Sequence, residues 1–317
     1  MAGGGDSTRA IFFALGANFA IAAAKGFAAF FTGSSAMFAE TVHSLADCAN
    51  QVLLLLGLRQ AKRPASPEYP LGYGKAIYFW SFLVALMLFS VGGVFSLYEG
   101  IHKLQHPQQI KFWGWAVGVL SFGIIAEAVS MRACLQEVNK SRGNRSLWRW
   151  FRESRQAELV VIFGEDLAAL LGLVFALVAV MLAVVTGNPM WDAAGTIAIG
   201  VLLIVVAVFV AVEVKELLIG QSVDDAVQAE IRAFLESQPH INRVISLITL
   251  QLGSDIMVSV QAEMLERGSS RAMVEDINEI EVRLKQRFPS VRWSFFEPEI
   301  EGGFRHDQDY ATETPSG

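Results

Sequence analysis

Residues 157–185 read AELVVIFGEDLAALLGLVFALVAVMLAVV. A helix of this length crosses about 30 Å of hydrocarbon at about 1.5 Å of rise per residue. It nevertheless carries the acidic pair Glu165-Asp166. Ionisable groups inside a span are costly enough that each is a functional candidate until explained otherwise. The length of the run sets the fold class, and the acidic pair points to the chemistry.

Five further apolar runs lie at about residues 10–31, 35–58, 76–102, 112–135 and 191–218. The first two are separated by a tight Thr32-Gly33-Ser34 turn. The expectation is an α-helical polytopic membrane protein with six transmembrane helices in a domain over 10–220, preceded by an N-terminal tail over 1–9. Composition agrees, with 53% hydrophobic and 18% charged residues and a mean hydropathy of +0.42. Such a chain is too apolar for an ordinary soluble protein, so its partner is the lipid bilayer. A net charge of -6 supplies no basic field, which argues against nucleic acid as a partner. Met1–Arg9 lacks the basic region and cleavage site of a secretory signal. Cys48 and Cys134 sit in or beside apolar runs and read as buried small hydrophobes, not as a disulfide or a CxxC site.

Lys and Arg gather at one set of helix ends: Arg9, then Arg59, Lys62, Arg63 and Lys75, then the stretch from Lys140 to Arg155, then Lys215. The opposite ends hold Lys103 and Lys111 and little else. By the positive-inside rule both termini face the cytoplasm. After Gly220 the pattern changes to helix (224–237), strand (244–252), strand (255–264), helix (270–288) and strand (291–296), a small two-layer cytoplasmic α+β domain over 221–301. Residues 302–317 are polar and read as a disordered tail.

The second apolar run holds Glu40, His43, Asp47 and Asn50. His43 and Asp47 are four apart, so they project from one helix face about one turn from each other, as two ligands of one metal ion must. The plainer alternative is that His43 hydrogen-bonds Asp47 or a neighbouring helix. Depth favours the ligand reading: Asp47 lies about 17 Å from the outer end of its helix and Asp166 about 14 Å from the inner end of its own, which coincide within a 30 Å core. Asn18 falls at a similar level. Imidazole, carboxylates and an amide suit a divalent first-row ion, Zn(II) above all, with Mn(II), Fe(II) or Co(II) open. Asp166 is the better ligand, and Glu165, about 100° around the helix, reads as an outer or proton-handling group. Lys25 is expected to snorkel to its helix end. Glu127 and Glu158 are expected toward cytoplasmic ends, solvated or in interhelical ion pairs. Ser146–Arg155, which interleaves Trp148, Trp150 and Phe151 with arginines, reads as an interfacial anchor with its aromatics inward and its arginines toward lipid phosphates.

Several motifs together resemble the cation diffusion facilitators. They are Thr32-Gly33-Ser34, the run Glu40-Thr41-Val42-His43-Ser44-Leu45-Ala46-Asp47 followed by Asn50-Gln51, and Pro70-Leu71-Gly72-Tyr73-Gly74-Lys75. Further matches are Asp166 with Gly172, Asp192 with Gly200, and Leu217 to Ser222 at the domain junction. The second-span run, Tyr78-Phe79-Trp80-Ser81 and the Glu165-Asp166 pair look most like the branch of mitochondrial zinc-transporter-like members and their bacterial relatives. The resemblance implies a metal/proton antiporter, a homodimer with a ferredoxin-like cytoplasmic domain, and a tetrahedral site with two ligands from each of the second and fifth spans. This sequence departs from that pattern at Ile162, four before Asp166, which leaves His43, Asp47 and Asp166 with water, Glu165 or Asn18; Glu40 is a further auxiliary candidate. Tyr69 and Tyr73, and Gln261, Phe295 and Phe296, stand where accessory histidines often occur, and His240 reads as a surface residue.

The function expected is efflux of a divalent cation, zinc first and Mn, Fe, Co or Cd possible, by exchange with protons and without a prosthetic group. The alternative is a non-transporting metal sensor or scaffold with a degenerate site. No HExxH or comparable nucleophile and base pair points to an enzyme. Ala- and Val-rich spans without a transit peptide point to a bacterial inner membrane.

Overall fold

The computed structural model describes residues 3–32, 35–107, 113–266 and 268–300, with side chains of the second helix described from Ser44 onward. The Gly33-Ser34 turn and the stretch after 300 lie outside the described residues. Two compact units are present, one within residues 2–220 and one beginning at Gln221.

In the first unit the chain runs through α1 (Gly3–Thr32), α2 (Ser35–Ala61), α3 (Ala76–Met87), a π-helical stretch (Leu88–Val94), α4 (Phe95–Gln105), α5 (Trp113–Arg142), the short α6 (Leu147–Glu153), α7 (Ala157–Thr186) and α8 (Met190–Ile219). Four segments among the described residues are long and apolar enough to cross a membrane: Ala76–Gln105, Trp113–Arg142, Ala157–Thr186 and Met190–Ile219. α1 begins at Gly3, inside the stretch expected to be an N-terminal tail. The π-helical stretch was not legible in advance, because it interrupts a continuous apolar run at Gly92-Gly93.

That glycine pair opens a seam. A methyl group on Gly93 would meet Ile204 at 2.5 Å, one on Gly100 would meet the backbone nitrogen of Ile197 at 2.9 Å, and one on Gly200 would meet the backbone nitrogen of Leu97 at 2.8 Å. The π-helical stretch and α4 therefore lie against α8 nearly backbone to backbone, the close approach that small residues permit between helices in lipid. At its end α7 stops on Gly187 in the left-handed conformation (φ 68°).

The Arg/Trp segment departs in part from its expected role. Ser146 caps α6 by accepting from the Arg149 amide at 3.2 Å. Trp150 and Phe151 are buried in the packed core with Tyr78, Leu159 and Ile162, and Trp150 Nε1 donates to Ser141 Oγ at 3.0 Å. Leu147 and Trp148 remain exposed. The aromatics therefore divide between protein interior and surface, because a seven-residue helix cannot turn all of them one way.

The second unit comprises α9 (Asp225–Glu236), β1 (Ile241–Leu252), β2 (Asp255–Met264), α10 (Ser270–Arg287) and β3 (Val291–Pro298). Its sheet has the order β1-β2-β3, the first pair antiparallel about Gly253 (φ 66°) and the second parallel through α10. Ile256, Val258, Val260 and Ala262 alternate inward and pack with Ile231, Leu235, Ile280 and Leu284, the period of two expected of a half-buried strand. β1 starts at Ile241, ahead of the expected Val244, with register shifts between Ile241 and Ser246. His240 is part-buried, not a free surface residue: its Nε2 lies 3.5 Å from Asp276 Oδ1, and Asp276 is itself buried.

If the glycine seam carries helix packing, Gly200→Ala destabilises the protein by about 1–3 kcal/mol, read as a lower melting temperature in detergent micelles. Gly118→Ala, where a methyl group meets nothing within 4 Å, leaves it unchanged or raises it slightly. Equal melting of the two variants would show that the seam is not tightly packed.

Candidate metal centre

The acidic pair of α7 sits where apolar helices converge. Asp166 is 2% exposed, and its Oδ2 accepts a hydrogen bond from Ser130 Oγ of α5 at 3.0 Å. Ser130 is three residues from Glu127, so both lie on one face of α5, and Glu127 is buried as well. Glu127 was expected toward a cytoplasmic helix end. α5 instead continues to Arg142, which places Glu127 in mid-helix.

Glu165 takes a different set of partners. Its Oε1 accepts from Asn50 Nδ2 at 3.1 Å and its Oε2 from Gln51 Nε2 at 3.0 Å. Gln51 Oε1 in turn accepts from Asn18 Nδ2 at 3.1 Å. A chain of amides thus runs from α1 through α2 to the carboxylate on α7, all of it buried. Buried polar groups need such partners, since an unmade hydrogen bond costs about 1–3 kcal/mol. Within this chain of amides, Asn50 Oδ1 is buried with no hydrogen-bond partner among the described residues.

Charge ties the elements together. Glu165 lies close enough to Asp47 and Asp166 for their charges to interact, and Glu127 likewise to Asp166, Asp47 and Lys25. Lys25 does not snorkel as expected. It is 6% exposed, held inside the unit near these acids. Glu158, in the first turn of α7, is also buried, which removes the solvated reading.

Of the residues singled out from sequence, Asn18, Glu165 and Asp166 are buried in one polar region and Asp47, half-buried on α2, shares its electrostatics. The side chains of Glu40 and His43 lie outside the described residues; their backbone continues α2. Among the described residues no three His, Cys, Asp or Glu side chains converge tightly enough to hold one ion. Ile162 is fully buried in the apolar core, so the position one turn before Asp166 serves packing. In the second unit Gln261 donates to Glu297 at 3.0 Å, a polar contact where the resemblance leads one to look for accessory metal ligands. Sequence reasoning missed Ser130, and Gln51 had been no more than part of a motif. The signal for Ser130 was its three-residue spacing from Glu127 in an apolar run.

Residues 11–219 match the family model described as the cation efflux transmembrane domain. A protein from Xenopus laevis named proton-coupled zinc antiporter SLC30A9, mitochondrial, is 33% identical over 77% of this chain and 44% of its own length. Metal tolerance protein C4 of Arabidopsis thaliana is 32% identical over 73% of this chain and 51% of its own length. The magnetosome protein MamB of Magnetospira sp. (strain QH-2) is 22% identical over 74% of this chain and 75% of its own length. The chain therefore spans about half or less of the first two relatives.

The amide chain yields a double-mutant test. Gln51→Ala and Glu165→Ala are each expected to lower stability, and the pair together by less than their sum, with a coupling of about 1.5–3 kcal/mol, as for a hydrogen bond to a charged group. The measurement is unfolding in mixed micelles; strict additivity would mean that the two side chains do not meet.

Proposed function

Because the chain belongs to the cation efflux family, we propose that it carries a divalent cation, zinc before manganese, iron, cobalt or cadmium, across its membrane in exchange for protons. One observation carries the reading: Glu127, Glu165 and Asp166, on α5 and α7, are buried, and the half-buried Asp47 of α2 lies near enough to Glu127 and Glu165 for their charges to interact. Carboxylates gathered in this way are costly to bury unless cations accompany them. Lys25 offsets one charge. The remainder calls for protons or a metal ion, and a site that accepts either in turn is what antiport requires. The printed name of the frog relative, a proton-coupled zinc antiporter, supports the choice of both ions.

In this reading His43, Asp47 and Asp166 ligate the ion. His43 stands one turn before Asp47 on α2, and its ring lone pair can hold a proton or a metal ion but not both, which couples the two flows. Ser130 positions Asp166 by its hydrogen bond. Glu165 is kept from ligation by the amides on both of its oxygens and acts as an outer carboxylate. Asn50 Oδ1, with its unused lone pair, is a neutral oxygen available to the ion, which makes up for the apolar Ile162. Transport proceeds by alternating access, the site facing one side and then the other as the helices rock.

α1 and α2 complete six spans, with both termini on the cytoplasmic side by the distribution of Lys and Arg. The second unit is a ferredoxin-like domain, and the working assembly is a homodimer in a plasma membrane, bacterial by the composition of its spans. Ile162 favours a second reading, a sensor or scaffold that binds metal without turnover, because it leaves α7 one ligand short.

Proteoliposomes separate the two. His43→Ala, Asp47→Ala and Asp166→Ala are each expected to abolish zinc-driven proton flux, and Ser130→Ala to reduce it. Full flux in all three alanine variants would overturn the ligand assignment. Zinc binding with no flux in the unaltered protein would favour the sensor.

A further inference from the structure

The short helix α6 covers a recess. Between it, α7 and α8 lies an apolar cleft of about 220 Å³ whose walls include Trp148 and Phe151 of α6, Gly164 and Leu167 of α7, and Val206 and Phe209 of α8. We propose that this cleft seats one acyl chain of an anionic phospholipid, whose phosphate is met by Arg149 and Arg152 at its rim.

Three observations converge. The walls are hydrocarbon and aromatic, so the recess suits a flexible chain and offers nothing to a polar ligand. Next to the lining residues Trp148 and Phe151 stand Arg149 and Arg152, exposed and each paired with one carboxylate, Glu153 and Glu213. Finally, apolar wall and charged rim are in register. Trp148 meets Phe209 edge to face with ring centroids 5.6 Å apart. Arg152 stands one turn beyond Trp148 and Glu213 one turn beyond Phe209, and these two approach to 3.7 Å.

The arginines are accessible to a phosphate. Arg149 pairs with Glu153 through its Nε at 2.8 Å and Arg152 with Glu213 through its Nε at 3.7 Å, yet their side chains are 68% and 65% exposed. A guanidinium has five N–H donors, and its planar fork fits phosphate oxygens. Bulk lipid also bathes the outer faces of α7 and α8, but a recess roofed by an aromatic and edged by arginines distinguishes one lipid from its neighbours. Gly164 and Leu167 share a face of α7 turned away from Glu165 and Asp166. A chain in the cleft therefore presses on the helix that carries the acidic pair without entering the polar region.

Native mass spectrometry of the full chain, released from micelles holding phosphatidylglycerol and phosphatidylcholine in equal amounts with identical acyl chains, tests this. One phosphatidylglycerol per chain is expected to survive. Its retention falls about fivefold for each of Arg149→Gln and Arg152→Gln, and is lost in Val206→Phe, which fills the cleft while leaving both arginines. The arginine variants alter no packed core and carry the test alone if Val206→Phe fails to fold. Equal retention of the two lipids, or retention indifferent to Val206→Phe, overturns the proposal. So does a dimer without bound lipid that Val206→Phe dissociates, which would mean that a second copy fills the recess. Zinc flux is read separately: normal flux without lipid retention defeats this proposal alone, and retention without flux defeats only the transport reading.

Discussion

A carboxylate buried among apolar helices has to be satisfied from within the protein, and the two amide hydrogen bonds on Glu165 are the contact on which the polar interior depends. They join α2 to α7, and the Asn18–Gln51 bond extends the tie to α1. Without them a charge on α7 would face hydrocarbon, at a cost of several kcal/mol. With them α7 places a second carboxylate, Asp166, one residue along and in reach of Ser130 on α5. The placement of the acidic pair therefore rests on neutral side chains as much as on the acids.

Contacts of the opposite character hold the remaining helices. The π-helical stretch and α4 meet α8 through Gly93, Gly100 and Gly200, where close approach of the backbones sets the fit, and toward the end of α4 Lys103 adds an ion pair to Asp192 of α8 at 3.2 Å. In lipid there is no hydrophobic drive between helices, so close packing of small residues and interhelical hydrogen bonds share the work. The two interfaces differ in how far they depend on charge. A change of charge at Glu165 or Asp166 alters what their polar contacts must satisfy, whereas the close contacts at Gly93 and Gly200 involve no charged group.

Much of this was legible in the sequence, and what was not has identifiable physical causes. Four spans could be read because about twenty apolar residues have few other uses, and the elements of the second unit because their hydrophobic periods of two and of 3.6 are distinct. Glu127 was misplaced because α5 continues past its apolar part through Gln136, Glu137 and Lys140 to Arg142, and hydropathy marks the edge of the oil, not the end of the helix. Lys25 was misread for a related reason: one sequence gives depth along a helix, but not which neighbour its side chain faces. Asn50 and Gln51 were visible as a motif, yet their bond to Glu165 spans more than a hundred positions and depends on a register between helices that no local pattern encodes.

The same distinction between depth and direction explains α6. Its alternation of arginine and aromatic residues announces a membrane interface, and the exposed Trp148 and Arg149 agree. Two neighbouring aromatics nonetheless turn inward, Trp150 to a hydrogen bond with Ser141 and Phe151 to the core beside Phe163. A helix of seven residues has under two full turns at 3.6 residues each, so it cannot present a long amphipathic stripe. It works instead as a wedge, with one edge in the protein and the other toward lipid. A wedge leaves a gap where its two edges diverge from the helices below, and the cleft above Gly164 occupies that position. The recess is thus a geometric consequence of fixing so short a helix by its buried aromatics while its arginines hold the surface.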